Sequence, residues 1–80
     1  MDLGRLLAVV GANIRTIRER RGQSQEALAT DVGMHRTMAG TIERGERNLT
    51  LQTLERLAHY LEVSVGELVA DHTEAEPSPA

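Results

Sequence analysis

Apolar residues recur at intervals of three and four along most of this 80-residue chain, and glycines or helix-capping residues interrupt the pattern. Because an α-helix has about 3.6 residues per turn, this spacing places the apolar side chains on one helical face. No segment alternates apolar and polar residues with the two-residue period of a half-buried strand. The sequence therefore predicts an all-α fold.

Five helices follow from the positions of the interruptions, since Ser and Thr favour helix N-caps and Gly favours helix ends. The first predicted helix is about residues 4–21, ended by Gly22, and a short second helix begins at its Ser24 cap and is closed by Gly33. The third runs from about His35 to Arg44 and ends at Gly45. Thr50 caps a fourth helix, and Ser64 caps a last short helix that carries Val63, Val65, Leu68 and Val69. Their inward-facing positions are predicted to be Leu3, Leu6, Leu7, Val10, Ile14, Ile17, Ala27, Leu28, Val32, Met34, Ala39, Ile42, Leu51, Leu54, Leu57, Ala58, Leu61, Val63, Val65, Leu68 and Val69.

The chain is long enough for one small domain. We expect residues 1–70 to form a compact five-helix bundle and residues 71–80, which are polar and contain both prolines, to form a disordered acidic tail. There is no cysteine, so disulfides and thiolate metal sites are excluded. The histidines lack ligand spacing, and no set of catalytic residues stands out. We expect neither enzymatic activity nor a metal, a cofactor or a small-molecule ligand.

Charge is distributed unevenly along the chain. Residues 1–61 carry nine arginines against seven acidic residues, whereas residues 62–80 carry five acidic residues and no arginine. The apolar run near the N-terminus is too short to span a bilayer and lacks a cleavage site for secretion. We therefore expect a cytoplasmic protein whose mildly basic part binds its partner.

The two short predicted helices on either side of Gly33 form the most informative feature. Two short helices joined by a tight glycine-containing turn make a helix-turn-helix, in which the second helix enters the DNA major groove. The segments SQEALA, GMHRT, IERG and NLTLQTLE follow one another at specific spacings. Over about residues 11–69, the chain resembles the Cro/phage-repressor (Xre-type) helix-turn-helix family. The resemblance implies a lambda-repressor-like DNA-binding domain.

Within that family, the chain most resembles the controller proteins of restriction–modification systems. This finer resemblance rests on the Arg-Thr pair of the third helix, on Gly40 before Thr-Ile-Glu-Arg, and on the Arg-Asn-Leu-Thr run. The chain departs from the family pattern at His35, where Ser, Thr or Asp would normally cap the third helix, and at Met38 and Ala39. The resemblance therefore does not identify the residue that caps the third helix.

The start of the third helix is predicted to read DNA bases. Arg36 can make bidentate bonds to guanine, and Thr37 can contact a thymine methyl group. Thr41 lies one turn further on the same face, and His35 stands at the start of the helix, so both join this base-reading set. The alternative is a helix start that only faces solvent.

A second set is predicted to contact the DNA backbone. The resemblance implies that Gln25, at the start of the second helix, binds a phosphate, where the helix dipole assists. Arg44, Arg47 and Asn48 follow the recognition helix and are candidate phosphate contacts, although any of them could be a simple surface residue. The resemblance also implies an ion pair between Arg18 and Glu43, with a phosphate contact at the edge of Arg18.

Gly40 weakens the third helix, because an interior glycine costs about 0.5–1 kcal/mol relative to alanine. It faces the same side as Arg36 and Thr37. We predict that its missing side chain lets the helix approach the DNA backbone closely. A tolerated defect in a short helix is the alternative.

Adequate specificity on DNA usually requires two copies of such a domain on a palindrome. The predicted homodimer interface lies on the fourth and fifth helices and comprises Tyr60, Leu61, Val63, Val65 and Leu68. These residues could instead complete the core of the monomer. The sequence thus predicts a homodimeric, sequence-specific transcriptional regulator that binds a palindromic operator in double-stranded DNA. The alternative function is a DNA-binding antitoxin whose acidic tail binds a protein partner.

Overall fold

The protein folds into five helices, as a computed structural model describes for residues 2–71. The helices are α1 (Leu3–Arg20), α2 (Gln25–Val32), α3 (Arg36–Glu43), α4 (Leu51–Leu61) and α5 (Val65–Val69). No strand is present among the described residues, which confirms the all-α prediction. Within the same range, no helix is both long and apolar enough to cross a membrane.

The capping residues predicted from the sequence are in place. The Ser24 hydroxyl accepts a hydrogen bond from the backbone N–H of Ala27 at 3.0 Å, and Thr50 caps α4 in the same way. At α5, Ser64 and Glu67 form a reciprocal capping box. Asp2 caps α1, which the sequence analysis did not identify. These side chains satisfy backbone donors that a helix start otherwise leaves unpaired.

Gly33 forms the tight turn between α2 and α3. Its backbone is left-handed, with φ of 85°, and the Met34 N–H donates to the carbonyl of Ala29 at 2.9 Å. Glycine adopts this conformation without the steric cost of a Cβ atom. The guanidinium of Arg56 in α4 also donates to the Val32 carbonyl at the end of α2. The turn is therefore held from outside as well as by its own backbone.

The core lies where α1, α2, α3 and α4 meet and is closed by α5. Its most completely buried large side chains are Ile14, Leu28, Val32, Leu57, Leu61 and Leu68. Two of the predicted inward positions are wrong: Leu51 is 82% exposed and Leu3 is 54% exposed. Each of these leucines is the first residue of its helix.

Helices α1 and α3 approach each other closely at Gly11. A Cβ atom built at this position would lie 2.4 Å from the carbonyl oxygen of Ile42 and 2.6 Å from that of Glu43. Such distances are far below van der Waals contact. Gly11 therefore permits the helix crossing that holds α3 against the bundle.

The chain remains packed against α1 through Asp71. Asp71 forms an ion pair with Arg5, and only 9% of the Asp71 side chain is exposed. Asp71 is the first residue of the predicted tail and the last residue that the structure describes. The rest of the predicted tail, residues 72–80, lies outside the described part of the chain.

Candidate nucleic-acid interface

The N-terminal end of α3 presents polar side chains to solvent. Arg36 and Thr37 occupy its first two positions, and both are exposed. The opposite face of α3 is buried through Ala39 and Ile42, which are 3% and 2% exposed. Burial of that face fixes the rotation of α3 about its axis, so Arg36 and Thr37 point away from the core.

His35 caps α3. Its Nδ1 atom accepts a hydrogen bond from the backbone N–H of Thr37 at 3.1 Å. A neutral imidazole with Nδ1 as acceptor carries its proton on Nε2. Histidine therefore caps the third helix, for which the sequence had identified no capping residue. The exposed ring keeps one N–H donor that a ligand can accept.

Thr41 differs from the other predicted base-reading residues because it is half-buried. Its hydroxyl donates to the carbonyl of Met38 at 2.7 Å, one turn earlier in the helix. This bond commits the hydroxyl proton to the helix backbone. The remaining chemistry that Thr41 can offer is a methyl group and a hydroxyl oxygen that accepts.

A buried ion pair joins α1 to the C-terminal end of α3. The Nε and Nη2 atoms of Arg18 donate to the two Glu43 carboxylate oxygens at 2.6 and 3.0 Å, and both residues are 8% exposed. The hydrogen bonds from Arg18 to Glu43 raise the pKa of Arg18, although burial opposes this shift. The pairing that the resemblance implied is therefore present.

The remaining contacts of Arg18 are structural too. Its Nη1 atom donates to the Gln23 carbonyl at 2.7 Å, just before α2. With its donors turned inward and 8% of the residue exposed, Arg18 has little surface for a phosphate. The predicted phosphate contact at its edge is therefore corrected: Arg18 holds α1, α2 and α3 together.

Gln25 belongs to the same network. Its Nε2 atom donates to Glu43 Oε1 at 3.0 Å, and its side chain is half-buried. Glu43 thus receives hydrogen bonds from both α1 and α2. One N–H of the Gln25 amide is used by Glu43, which leaves the second N–H for the predicted phosphate contact at the N-terminus of α2.

Gly40 is buried beneath two side chains. A Cβ atom at this position would lie 3.1 Å from Arg44 Nη1 and 3.5 Å from Gln25 Oε1. Arg44 in turn donates from Nε to Glu46 Oε1 at 3.1 Å. The Arg44 guanidinium therefore lies against α3 at the point where Gly40 has no side chain.

Arg47 and Asn48, in the connection between α3 and α4, are both exposed. They follow Arg44, which caps the C-terminal end of α3 and is also exposed, so these residues lie beyond the end of α3 opposite to Arg36. The acidic residue among them, Glu46, is exposed as well. Exposed arginines at both ends of α3 suit a polyanion.

The residues predicted to form the dimer interface are divided by the structure. Leu61 and Leu68 are 1% and 0% exposed because they lie in the core of their own chain. Their assignment to a surface is therefore corrected. Tyr60 is 42% exposed, and Val63 and Val65 are half-buried. Helix α4 packs against α1, α2 and α5, and its buried residues are Leu54, Leu57, Ala58 and Leu61.

Two contacts that support this surface were not identified from the sequence. Gly11 allows the close crossing of α1 and α3, and Arg56 holds the end of α2. The glycine inside a predicted helix was an available signal, as it was for Gly40. Arg56 offered none, because its partner lies in another helix. No cluster of metal-ligating side chains occurs in residues 2–71.

Comparison with known proteins places this geometry in context. A family described as helix-turn-helix matches residues 14–68. Control protein C.SmaI from Serratia marcescens is 46% identical over 69 residues, which cover 86% of this chain and 79% of that protein.

Two solved structures share the fold. The restriction-modification controller protein C.AhdI from Aeromonas hydrophila superposes with a TM-score of 0.74 and 39% identity, over 78% of this chain and 94% of that one. The biofilm regulator SinR, in a crystal structure with DNA, superposes with a TM-score of 0.72 and 32% identity, over 76% of this chain and 98% of that one.

Proposed function

This chain belongs to the helix-turn-helix family of DNA-binding transcriptional regulators, and from that premise we propose that it is a controller-like regulator that reads a palindromic operator with α3. The observation that carries this proposal is the exposure of Arg36 and Thr37 at the N-terminal end of a helix whose other face is buried. An α-helix fits the major groove, where each base pair presents a distinct pattern of donors and acceptors. The chemistry of arginine and threonine suits guanine and thymine edges.

His35 and Thr41 complete the proposed base-reading set. The ring of His35 lies beside Thr37 and offers an Nε2 donor to a base or phosphate acceptor. Thr41 contributes a methyl group one turn further along. Each supplies a weaker preference than a bidentate arginine, for which about 1–3 kcal/mol of discrimination is typical.

Backbone contacts orient the proposed complex. Arg44, Arg47 and Asn48 contact phosphates after α3, and Gln25 contacts one at the N-terminus of α2, where backbone N–H groups and the helix dipole favour an anion. Gly40 contributes indirectly, because it leaves room for the Arg44 guanidinium. The buried Arg18–Glu43 pair keeps α2 and α3 in register, so the phosphate and base contacts can form together.

Two copies of the domain act together in this proposal. One recognition helix offers few base contacts, and a homodimer on a palindrome doubles them, with half-sites about 34 Å apart. Such a regulator acts in the cytoplasm, where it meets its operator. The antitoxin alternative requires a tail that wraps a protein partner, and the acidic segment at residues 71–80 is short and poor in apolar residues, which disfavours it.

Selection of bound sequences from a random pool of DNA duplexes tests this function directly. We expect enrichment of a palindrome whose half-sites are separated by one helical turn. Enrichment of no sequence would contradict sequence-specific reading.

Two matched arginine variants then identify the base contact. On the selected site, Arg36→Ala should cost about 1–3 kcal/mol and relax preference at one base pair of each half-site. Arg47→Ala should weaken binding to all sequences alike. Equal losses for Arg36→Ala on selected and random DNA would show that Arg36 does not read a base.

A further inference from the structure

A cleft with a volume of about 400 Å³ lies between α1 and α5. This volume falls within the range of about 300–1,000 Å³ that is usual for sites that hold a small molecule. The residues that line the cleft are Asn13, Thr16, Ile17, Arg20, Val63 and Glu67. Ile17 and Val63 are half-buried and pack against the core, whereas Thr16, Arg20 and Glu67 are exposed. The cleft therefore has an apolar floor and a polar, charged rim.

Arg20 places an unpaired positive charge on this cleft. Among the described residues, its guanidinium has no hydrogen-bond or ion-pair partner, whereas Arg15 on the same helix forms an ion pair. Arg36 and Arg47 are also unpaired in the described part of the chain, but they belong to the proposed DNA surface. Arg20 is thus a cation for which the proposed function has no use.

Glu67 places a negative charge on the opposite wall of the cleft. Although the structure describes both residues, Glu67 and Arg20 form no ion pair with each other. The Oε1 atom of Glu67 accepts a hydrogen bond from the Ser64 N–H at 3.4 Å, and its Oε2 atom has no partner among the described residues. A cation and an anion that line one cavity without meeting leave space for a ligand that carries both opposite charges.

Asn13 holds the two walls together. Its Nδ2 atom donates to the backbone carbonyls of Leu68 and Ala70, at 2.9 Å each, and so attaches the end of α5 to α1. Its Oδ1 atom accepts no hydrogen bond from any described residue. The cleft is therefore formed without a ligand and retains a hydrogen-bond acceptor for one.

The cleft lies on the side of α1 that faces away from α3. Gly11 and Arg18 contact α3, and Asn13 and Arg20 each follow one of them by two residues. Two residues turn an α-helix through about 200°. A molecule in the cleft therefore does not compete with DNA at α3.

We infer that this cleft binds a small zwitterion, namely a molecule with a carboxylate, an ammonium group and a short aliphatic body. Arg20 binds the carboxylate. Glu67 and Asn13 accept hydrogen bonds from the ammonium group, and the aliphatic body packs against the apolar floor. An aliphatic α-amino acid has this chemistry.

No small-molecule ligand was expected from the sequence, because the two charged residues are far apart in the chain. They line one cleft only through the packing of α5 against α1. This inference does not rest on the proposed function.

Nuclear magnetic resonance of the nitrogen-15-labelled full chain, without DNA, tests the inference. L-Leucine should shift the backbone amide signals of the lining residues, with a dissociation constant of about 1 mM or less. Two analogues each lack one charge: isocaproate has no ammonium group, and isoamylamine has no carboxylate. Each analogue should bind at least about tenfold more weakly than L-leucine, because it leaves one charged residue of the cleft without a partner.

Three variants assign the two charges of the ligand. Arg20→Gln should weaken the binding of L-leucine at least about tenfold. Arg15→Gln, an exposed position on the same helix outside the cleft, is the matched control and should bind L-leucine as the unaltered chain does. Glu67→Gln keeps the capping box of α5, since glutamine also serves at that position. It should weaken the binding of L-leucine and leave the binding of isocaproate unchanged.

Three outcomes would overturn the inference. One is that L-leucine binds Arg20→Gln as tightly as it binds the unaltered chain. Another is that L-leucine and isocaproate bind the unaltered chain equally. The third is that L-leucine at about 10 mM shifts no signal of a lining residue. Because no DNA is present, a chain that binds L-leucine but selects no DNA sequence would contradict only the proposed function.

Discussion

Replacing Gly11 with alanine tests whether the close crossing of α1 and α3 holds the fold together. The added Cβ would lie 2.4 Å from the Ile42 carbonyl oxygen, 2.6 Å from that of Glu43, and 2.9 Å from the Glu43 carbonyl carbon. Non-bonded contacts to carbon are optimal at about 3.5–4.0 Å, so the two helices would have to separate by about 1 Å. The obstructing atoms belong to backbone, which cannot change rotamer to make room.

The size of the effect follows from two opposing contributions. Overpacking a core typically costs about 1–3 kcal/mol, and backbone obstruction on one side places Gly11→Ala at the upper end of that range. Alanine recovers about 0.5–1 kcal/mol through its higher helix propensity. We therefore expect the free energy of unfolding to fall by about 2 kcal/mol, which lowers the Tm of a domain this small by about 8–16 °C.

Urea and thermal denaturation followed by circular dichroism measure this change. Gly4→Ala is the matched control, because it makes the same substitution in the same helix. Its Cβ would meet only Asp2 Oδ1, at 3.4 Å, so this variant should be as stable as the unaltered chain or slightly more stable. If Gly11→Ala proved as stable as Gly4→Ala, the close crossing would have no energetic role and the argument would be refuted.

Three further predictions concern the network behind the recognition helix. Glu43→Gln removes the buried counter-ion of Arg18 and leaves only the exposed Glu19 carboxylate, 3.9 Å away. The free energy of unfolding should therefore fall by about 3 kcal/mol in urea titrations, whereas replacing both Arg18 and Glu43 with leucine should restore much of it. Glu46→Gln releases Arg44 from an exposed ion pair, so the free energy of unfolding should change by less than about 1 kcal/mol. The freed arginine should bind phosphate better, so gel shifts should show tighter binding to all DNA sequences. Gly40→Ala should displace the Arg44 guanidinium and leave the circular dichroism spectrum unchanged. The affinity for selected and for random DNA should then fall by the same factor. A loss confined to the selected site would contradict the role of Gly40 in positioning Arg44.

The sequence alone determined the helices and their ends, because those depend on interactions within a few residues. Ser24 bonds to Ala27, Ser64 bonds to Glu67, and Gly33 adopts a conformation that its own missing Cβ permits. Apolar spacing likewise identified the core face of each helix. The start of the recognition helix was predictable for the same reason, since it follows directly from the turn.

Only the tertiary structure decided which part of each apolar face is covered. Leu51 and Leu61 lie on one predicted stripe of α4, but other helices pack over Leu61 and leave Leu51 in solvent. A helical pattern fixes the direction of a side chain relative to its own helix and contains no information on where the neighbouring helices stop. The predicted dimer surface was partly wrong for this reason.

The two interior helix glycines illustrate the same limit. Gly40 was predicted to matter because it lies in the recognition helix, yet the nearest atom to a Cβ there belongs to the movable end of the Arg44 side chain. Gly11 also lies inside a helix, but the backbone that it faces belongs to another helix more than 30 residues away in the chain. Whether a missing Cβ matters depends on the atoms opposite, and long-range packing alone places those atoms there.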